Sequence, residues 1–97
     1  MKVAHVLIQG FVQGIGFRQF ILRHAQDLRL KGWVRNLEDG RVEAMFQSST
    51  GSDQEAKEKI EEMIKLCRRG PFLAEVENVE VTWEEAEAEL EGFEIVI

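Results

Sequence analysis

Residues 3–28 read VAHVLIQGFVQGIGFRQFILRHAQDL, and the spacing of their apolar side chains changes once along the segment. From Val3 to Val12, small or apolar side chains occupy every second position, which predicts a half-buried β-strand. Gly14 and Gly16 then interrupt the alternation. Beyond them, apolar residues recur at helical spacing as far as Leu28. The chain therefore opens with a strand, a glycine-containing loop and a helix.

The rest of the sequence continues the alternation of strands and helices. We expect Gly32 to end the first helix, because glycine tolerates the positive φ common just past a helix end. The later elements are a strand at Trp33–Leu37, a hairpin turn at Glu38-Asp39-Gly40, a strand at Val42–Gln47, a helix from the capping box Ser52–Glu55 to Gly70-Pro71, a strand at Val79–Trp83 and a short final strand at Phe93–Ile97.

This element order predicts an α+β fold. Strand–helix–strand units connect with right-handed crossovers, and the tight hairpin pairs the second strand with the third. Two such units interleave as a ferredoxin-like α/β sandwich, βαββαβ, here with a short additional C-terminal strand. We expect an antiparallel sheet with two helices on one face and solvent on the other, and one domain spanning residues 1–97.

Composition and charge argue against several classes of partner. The formal net charge of −6 disfavours nucleic acid and anionic membrane surfaces. No apolar run is long enough to span a bilayer, and no targeting segment is visible. The single cysteine, Cys67, excludes an internal disulfide framework and favours a reducing, cytoplasmic setting. For 97 residues we expect a monomer.

The loop from Gly14 to Arg18 is the first candidate site. The first turn of a helix carries N–H groups without internal partners, and no Ser, Thr, Asp or Asn side chain lies between Val12 and Gln19 to cap them. Two glycines allow several of these N–H groups to converge on one anion, and Arg18 adds a planar cationic donor. A plain turn with water-satisfied amides and a surface arginine explains the same residues.

Asn36 is the second candidate, since asparagine is a poor strand former at the end of an otherwise good strand. It is equally compatible with the start of the hairpin turn. In the predicted topology, the first two strands run parallel with the third between them. Their C-terminal ends are then about 10 Å apart at one sheet edge. Arg18 and Asn36 could therefore face the same small ligand.

Other reactive side chains give weaker signals. His5 and His24 have no cysteine or paired carboxylate at ligand spacing, so no metal site is expected. His24 falls on the apolar stripe of the first helix, and Cys67 falls on that of the second. Both are therefore expected to pack rather than to react.

Two long segments resemble the signatures of the acylphosphatase family. They are GFVQGIGFR at residues 10–18 and GWVRNLEDGRVE at residues 32–43. The order, spacing and chain length also fit, so the resemblance covers essentially the whole chain. Some positions depart from it: Phe11 stands where an arginine is common, Leu37 where some members have threonine, and Ile97 ends the chain.

The resemblance implies metal-independent hydrolysis of the carboxyl–phosphate bond of acyl phosphates, without a cofactor. Arg18 matches the family's phosphate-binding arginine, and Asn36 matches the asparagine that orients the attacking water. The matching phosphate cradle is formed by the backbone amides of Gly14, Ile15, Gly16, Phe17 and Arg18.

Two other classes remain open at this point. A non-catalytic ferredoxin-like module could bind phosphate or another anion without turnover. The chain could also be related to the acylphosphatase-like domain at the start of larger carbamoyl-transfer maturation proteins. The sequence shows none of the further segments that such proteins carry, so we rank this third possibility lowest.

Overall fold

The computed structural model describes residues 1–49 and 51–97, and in them five strands and two helices follow the predicted order. No helix in this part of the chain is long and apolar enough to cross a bilayer. The elements are β1 (Lys2–Phe11), α1 (Phe17–Asp27), β2 (Lys31–Asn36), β3 (Val42–Ser48), α2 (Asp53–Arg69), β4 (Glu75–Glu85) and β5 (Phe93–Ile95).

The strands form one sheet in the order β4-β1-β3-β2-β5. The pairs β4·β1, β1·β3 and β3·β2 are antiparallel, as the ferredoxin-like prediction requires. The pair β2·β5 is parallel, so the wholly antiparallel sheet that we predicted is corrected to a mixed one. The reason is the position of the last connection. The last residues of β4 lie at the same end of the sheet as the first residues of β2. A strand that starts from this end and lies beside β2 runs in the same direction as β2.

The first helix ends differently from the sequence-based expectation. It stops at Asp27, and Arg29 has the positive φ, 58°, that we assigned to Gly32. The N–H of Leu30 donates to the carbonyl of Ala25 at 2.8 Å, which completes a Schellman-type end without a glycine. Gly32 lies instead inside β2, so its predicted role as a helix stop is wrong.

The second helix begins at the predicted capping box. The hydroxyl oxygen of Ser52 accepts a hydrogen bond from the N–H of Glu55 at 3.2 Å. In return, the Glu55 carboxylate accepts one from the N–H of Ser52 at 3.0 Å. Two N–H groups of the first turn are thereby satisfied. The helix ends at Gly70, as predicted.

Both helices cover the same face of the sheet. Helix α2 packs on β1 and β3, α1 packs on β2 and β5, and the helices contact each other. The alternation of the strands directs their smaller apolar side chains into this interface. The buried apolar strand residues on this face are Ala4, Val6, Ile8, Val34, Val42, Ala44, Phe46, Val79 and Phe93.

The opposite face is only partly open to solvent, contrary to the prediction. Gln47 is 1% exposed there, although it alternates away from the helices. Its Nε2 donates to the carbonyl of Ala88 at 2.9 Å, and its Oε1 accepts from the N–H of Leu90 at 2.7 Å. The connection between β4 and β5 therefore covers one end of this face and also buries Val3.

Candidate active site

A cavity of about 390 Å³ lies between the start of α1 and the ends of β2 and β5. It brings together Arg18 and Asn36, which are separated by one helix and one strand in the sequence. Strands β1 and β2 run in the same direction on either side of β3, so the residues at and just beyond their ends meet at one edge. The cavity is lined by Val12, Gly14, Gly16, Phe17, Arg18, Gln19, Asn36, Ile95 and Ile97.

The start of α1 provides the backbone donors. Gly16 stands at the N-cap with φ 81° and ψ 20°, and no side chain caps the helix there. The first helical hydrogen bond runs from the N–H of Phe20 to the carbonyl of Gly16 at 3.0 Å. In the described part of the chain, no backbone carbonyl accepts from the N–H groups of residues 14–19. Such a row of free N–H groups at a helix start is suited to an anion.

The structure separates the predicted loop residues into two groups. Gly14, Gly16, Phe17 and Arg18 line the cavity, and Phe17 is also buried in the core. The side chain of Ile15 packs against the core and is not part of the cavity wall. Only the backbone of Ile15 is therefore available to a ligand.

Arg18 is a partly exposed cation at this cavity. Within residues 1–49 and 51–97, no carboxylate comes within ion-pair distance of its guanidinium. The guanidinium is permanently charged and presents several donors in one plane. A free arginine beside uncapped helix N–H groups concentrates positive potential at one point of a chain whose formal net charge is −6.

Asn36 is the last residue of β2 and is half-buried. Its Oδ1 atom is buried, and no donor among the described residues forms a hydrogen bond with it. Buried side-chain oxygens are rarely left unsatisfied in folded proteins, so an isolated one at a cavity calls for an explanation. An acceptor in this position can orient a water molecule or a ligand hydroxyl.

Sequence reasoning missed three features of this region. Ile95 and Ile97 reach the cavity because β5 lies beside β2, with Ile95 paired to Val34. Gln13 does not line the cavity, but its side chain donates two hydrogen bonds to the β2–β3 hairpin. No spacing pattern identifies a single glutamine in a loop. The short alternation at Phe93–Ile97 did indicate a strand, but its place beside β2 follows only from the assembled sheet.

The other reactive residues lie elsewhere. His5 pairs with Glu43 on the sheet face opposite the helices, and the ring of His24 packs edge-on against Phe20 at 4.5 Å. Cys67 is fully buried, and burial raises the pKa of its thiol to about 12. In the described residues no cluster of three His, Cys, Asp or Glu side chains could hold a metal ion.

A larger hollow, about 630 Å³, lies between α2 and β4. Three glutamates line it, Glu58, Glu61 and Glu62, alongside two basic side chains and Trp83. It has no uncapped helix start and no isolated buried acceptor. The smaller cavity at Arg18 is therefore the better candidate for an anionic ligand.

Comparison with known proteins identifies the family of the chain. The acylphosphatase family model matches residues 4–95. An acylphosphatase of Roseiflexus sp. is 43% identical over 99% of this chain and 96% of its own length. The crystal structure of acylphosphatase from Bacillus subtilis superposes with a TM-score of 0.86, at 29% identity, over 100% of both chains. A structure of full-length HypF matches 99% of this chain but only 12% of its own, with a TM-score of 0.73 and 31% identity. On the family match and the identity to curated relatives, the chain belongs to the acylphosphatase family.

Proposed function

We propose that this chain hydrolyses the carboxyl–phosphate bond of acyl phosphates, releasing a carboxylate and inorganic phosphate. The observation that carries the proposal is the meeting, in one cavity, of an unpaired arginine, an uncapped helix start and the isolated buried Oδ1 of Asn36. The first two suit a phosphoryl group and the third suits a water molecule. Membership of the acylphosphatase family supports the same reaction.

Arg18 and the loop amides would hold the phosphoryl group. In phosphoryl transfer, charge is redistributed over the phosphoryl oxygens, and catalysis relies mainly on positioning and electrostatic stabilisation. The backbone N–H groups of Gly14, Ile15, Gly16, Phe17 and Arg18 are candidates for these contacts. The Arg18 guanidinium adds two parallel donors. These donors are fixed by the fold, so little reorganisation is needed as the transition state forms.

Asn36 would orient the attacking water through its Oδ1. The water oxygen forms the new bond to phosphorus, and the bond from phosphorus to the acyl oxygen breaks. The electron pair of the broken bond leaves with the carboxylate, which is a good leaving group at neutral pH. The water proton passes to a phosphoryl oxygen, so the reaction needs no side-chain base. Neither His5 nor His24 reaches the cavity, which is consistent with this route.

The setting of the protein is also part of the proposal. We propose that residues 1–97 act as one acylphosphatase-like domain, supported by the single sheet and the core cluster that spans both helices. We further propose a monomer in the cytoplasm that acts on small substrates and not on nucleic acid. The negative net charge and the single, buried cysteine Cys67 support this setting.

The decisive experiment measures hydrolysis of benzoyl phosphate with and without a chelator. The wild type should be active in both conditions, because Arg18 and the amides supply the positive charge. Arg18→Gln and Asn36→Ala should each lower kcat/KM by about 10²-fold or more. Arg23→Gln, an exposed arginine on the same helix, is the matched control and should behave as the wild type.

Two outcomes would contradict the proposal. Full activity of Arg18→Gln or Asn36→Ala would remove these residues from the mechanism. Binding of inorganic phosphate without any turnover of benzoyl phosphate would instead indicate a non-catalytic anion-binding module. A phosphate titration by calorimetry, run beside the activity assay, separates the second outcome from a misfolded sample.

A further inference from the structure

The side chain of Gln13 connects the phosphate loop to the β2–β3 hairpin. Its Nε2 donates to the carbonyl of Leu37 at 2.8 Å and to the carbonyl of Arg41 at 3.0 Å. A primary amide has two N–H donors, so both are used by these bonds. Gln13 is the first residue after Val12 in the loop that leads to Gly16 and α1.

The two acceptors lie at the neck of the hairpin, next to Asn36. The N–H of Leu37 donates to the carbonyl of Arg41 at 2.8 Å, which closes the turn directly after the last strand pair, Asn36 with Val42. Gln13 therefore contacts both sides of the hairpin, at Leu37, which follows Asn36, and at Arg41, which precedes the strand partner of Asn36. A shift of this neck would move Asn36 with it.

These bonds are the main polar link between two halves of the site. Among the described residues, no other hydrogen bond joins residues 12–16 to the hairpin at residues 36–42. The phosphate contacts proposed for Arg18 and the loop amides lie on one side of this link. Asn36 lies on the other. The distance between the phosphate and the attacking water thus depends on the hydrogen bonds from Gln13, which join the loop to the hairpin.

We propose that Gln13 is a positioning residue for hydrolysis, which sets Asn36 relative to the phosphate loop without touching the substrate. The inference rests on the proposed function. In-line attack requires the water to be placed within a few tenths of an ångström, and a misplacement of about 1 Å can cost about 10²-fold in rate. Phosphate affinity depends only on groups within the loop and the start of α1, so it is much less sensitive to the link.

Gln47 provides a matched control. It is also a glutamine whose side chain makes two hydrogen bonds to backbone groups, those of Ala88 and Leu90. It lies near the opposite end of the sheet, beside the start of β1. Replacing either glutamine by methionine keeps the length of the side chain and removes both bonds. Each change removes two hydrogen bonds from the folded protein, so the melting temperature should fall in both variants.

The test compares Gln13→Met and Gln47→Met in the benzoyl phosphate assay, with thermal unfolding measured alongside. We expect both variants to lose stability. Only Gln13→Met should lose kcat, by about 10–100-fold, while the inhibition constant of inorganic phosphate changes by less than about threefold. In an Asn36→Ala background, Gln13→Met should lower kcat by less than about twofold more, because the group that it positions is already absent.

A second variant covers the case in which Gln13→Met does not fold. In Gln13→Glu, the ionised carboxylate faces two carbonyl oxygens and donates no bond, whereas the protonated acid donates one. Its kcat relative to the wild type should therefore rise as the pH falls through the titration of that carboxyl. A merely structural residue would not produce this pH profile.

The inference is overturned if Gln13→Met matches Gln47→Met in kcat, if its effect adds in full to that of Asn36→Ala, or if the activity ratio for Gln13→Glu does not change with pH. Each of these results is compatible with an active wild type, so none of them bears on the proposed function. A wild type that turns over no benzoyl phosphate overturns the proposed function, and this inference with it.

Discussion

The Nε2 atom of His5 lies 2.6 Å from Oε2 of Glu43, across the neighbouring strands β1 and β3. The other carboxylate oxygen accepts from Nε of Arg35, also at 2.6 Å. Burial raises the pKa of Glu43, but the hydrogen bonds from His5 and Arg35 outweigh it and hold the pKa of this carboxyl below its usual value. The carboxylate of Glu43, on β3, is thus hydrogen-bonded to one side chain on β1 and one on β2.

Glu43→Gln should change the pH dependence of stability. A carboxyl whose pKa is lower in the folded state takes up a proton on unfolding, so its stabilising effect is complete above the unfolded pKa and is lost as the pH falls through the folded pKa. The variant should be about 1–2 kcal/mol less stable than the wild type above about pH 5, and the gap should close as the pH falls through the lowered pKa of the folded state. Urea unfolding across this range measures it, with the exposed Glu38→Gln as control. A gap that stays constant with pH would contradict this account.

Arg18→Lys should separate charge from geometry at the phosphate site. Lysine keeps the positive charge but presents a single compact ammonium in place of a planar pair of donors. We expect kcat/KM for benzoyl phosphate to fall by about 10-fold or more, less than for Arg18→Gln. Arg23→Lys on the same helix should have no effect. Equal activities of Arg18→Lys and the wild type would show that charge alone suffices.

Gly32→Ala should destabilise the protein strongly. At φ +138°, a Cβ at this position would lie 1.8 Å from the carbonyl oxygen of Met45 on the neighbouring strand. The strands would have to separate, at a cost of about 2–4 kcal/mol. Gly40→Ala is the control, since its Cβ would meet nothing within 4 Å and the cost is about 1 kcal/mol of backbone strain. Similar melting temperatures for the two variants would contradict the prediction.

Cys67 should resist alkylation in the folded protein. Its thiol is fully buried in α2, and burial raises its pKa to about 12, so the reactive thiolate is scarce at neutral pH. Iodoacetamide at about pH 8 should label the protein only in denaturant, as mass spectrometry can show. Activity should survive the native treatment. Rapid native labelling would mean that α2 opens locally.

The sequence predicted correctly the strands and helices whose apolar side chains recur at a regular spacing. The alternation in β1 and β3, the stripe of α2 and its Ser52–Glu55 capping box follow local rules, and the structure confirms them. The end of α1 did not follow, because Arg29 adopts a conformation that usually signals glycine, and it is held there by the fold. The direction of β5 depended on where β4 ends, which is a property of the assembled sheet.

For the site, the topology predicted from the sequence places Arg18 and Asn36 at one edge of the sheet, and in the structure both line one cavity. Their catalytic roles remain proposals. The contribution of Gln13 could not be predicted, because its acceptors are backbone carbonyls of residues 24 and 28 positions away. Backbone carbonyls carry no sequence signal. The same holds for Gln47, whose burial depends on its hydrogen bonds to backbone groups of Ala88 and Leu90.

The position of β1 inside the sheet, between β4 and β3, has a consequence for biosynthesis. One of its two neighbours is β4, so Lys2 is paired with Glu85, a residue made 83 positions later. Until that strand leaves the ribosome, β1 exposes an unpaired edge, and the loop that precedes Arg18 has no rigid base. Pairing over such long sequence distances slows folding. The base of the loop from Gly14 to Arg18 is therefore completed only after most of the polypeptide has been synthesised.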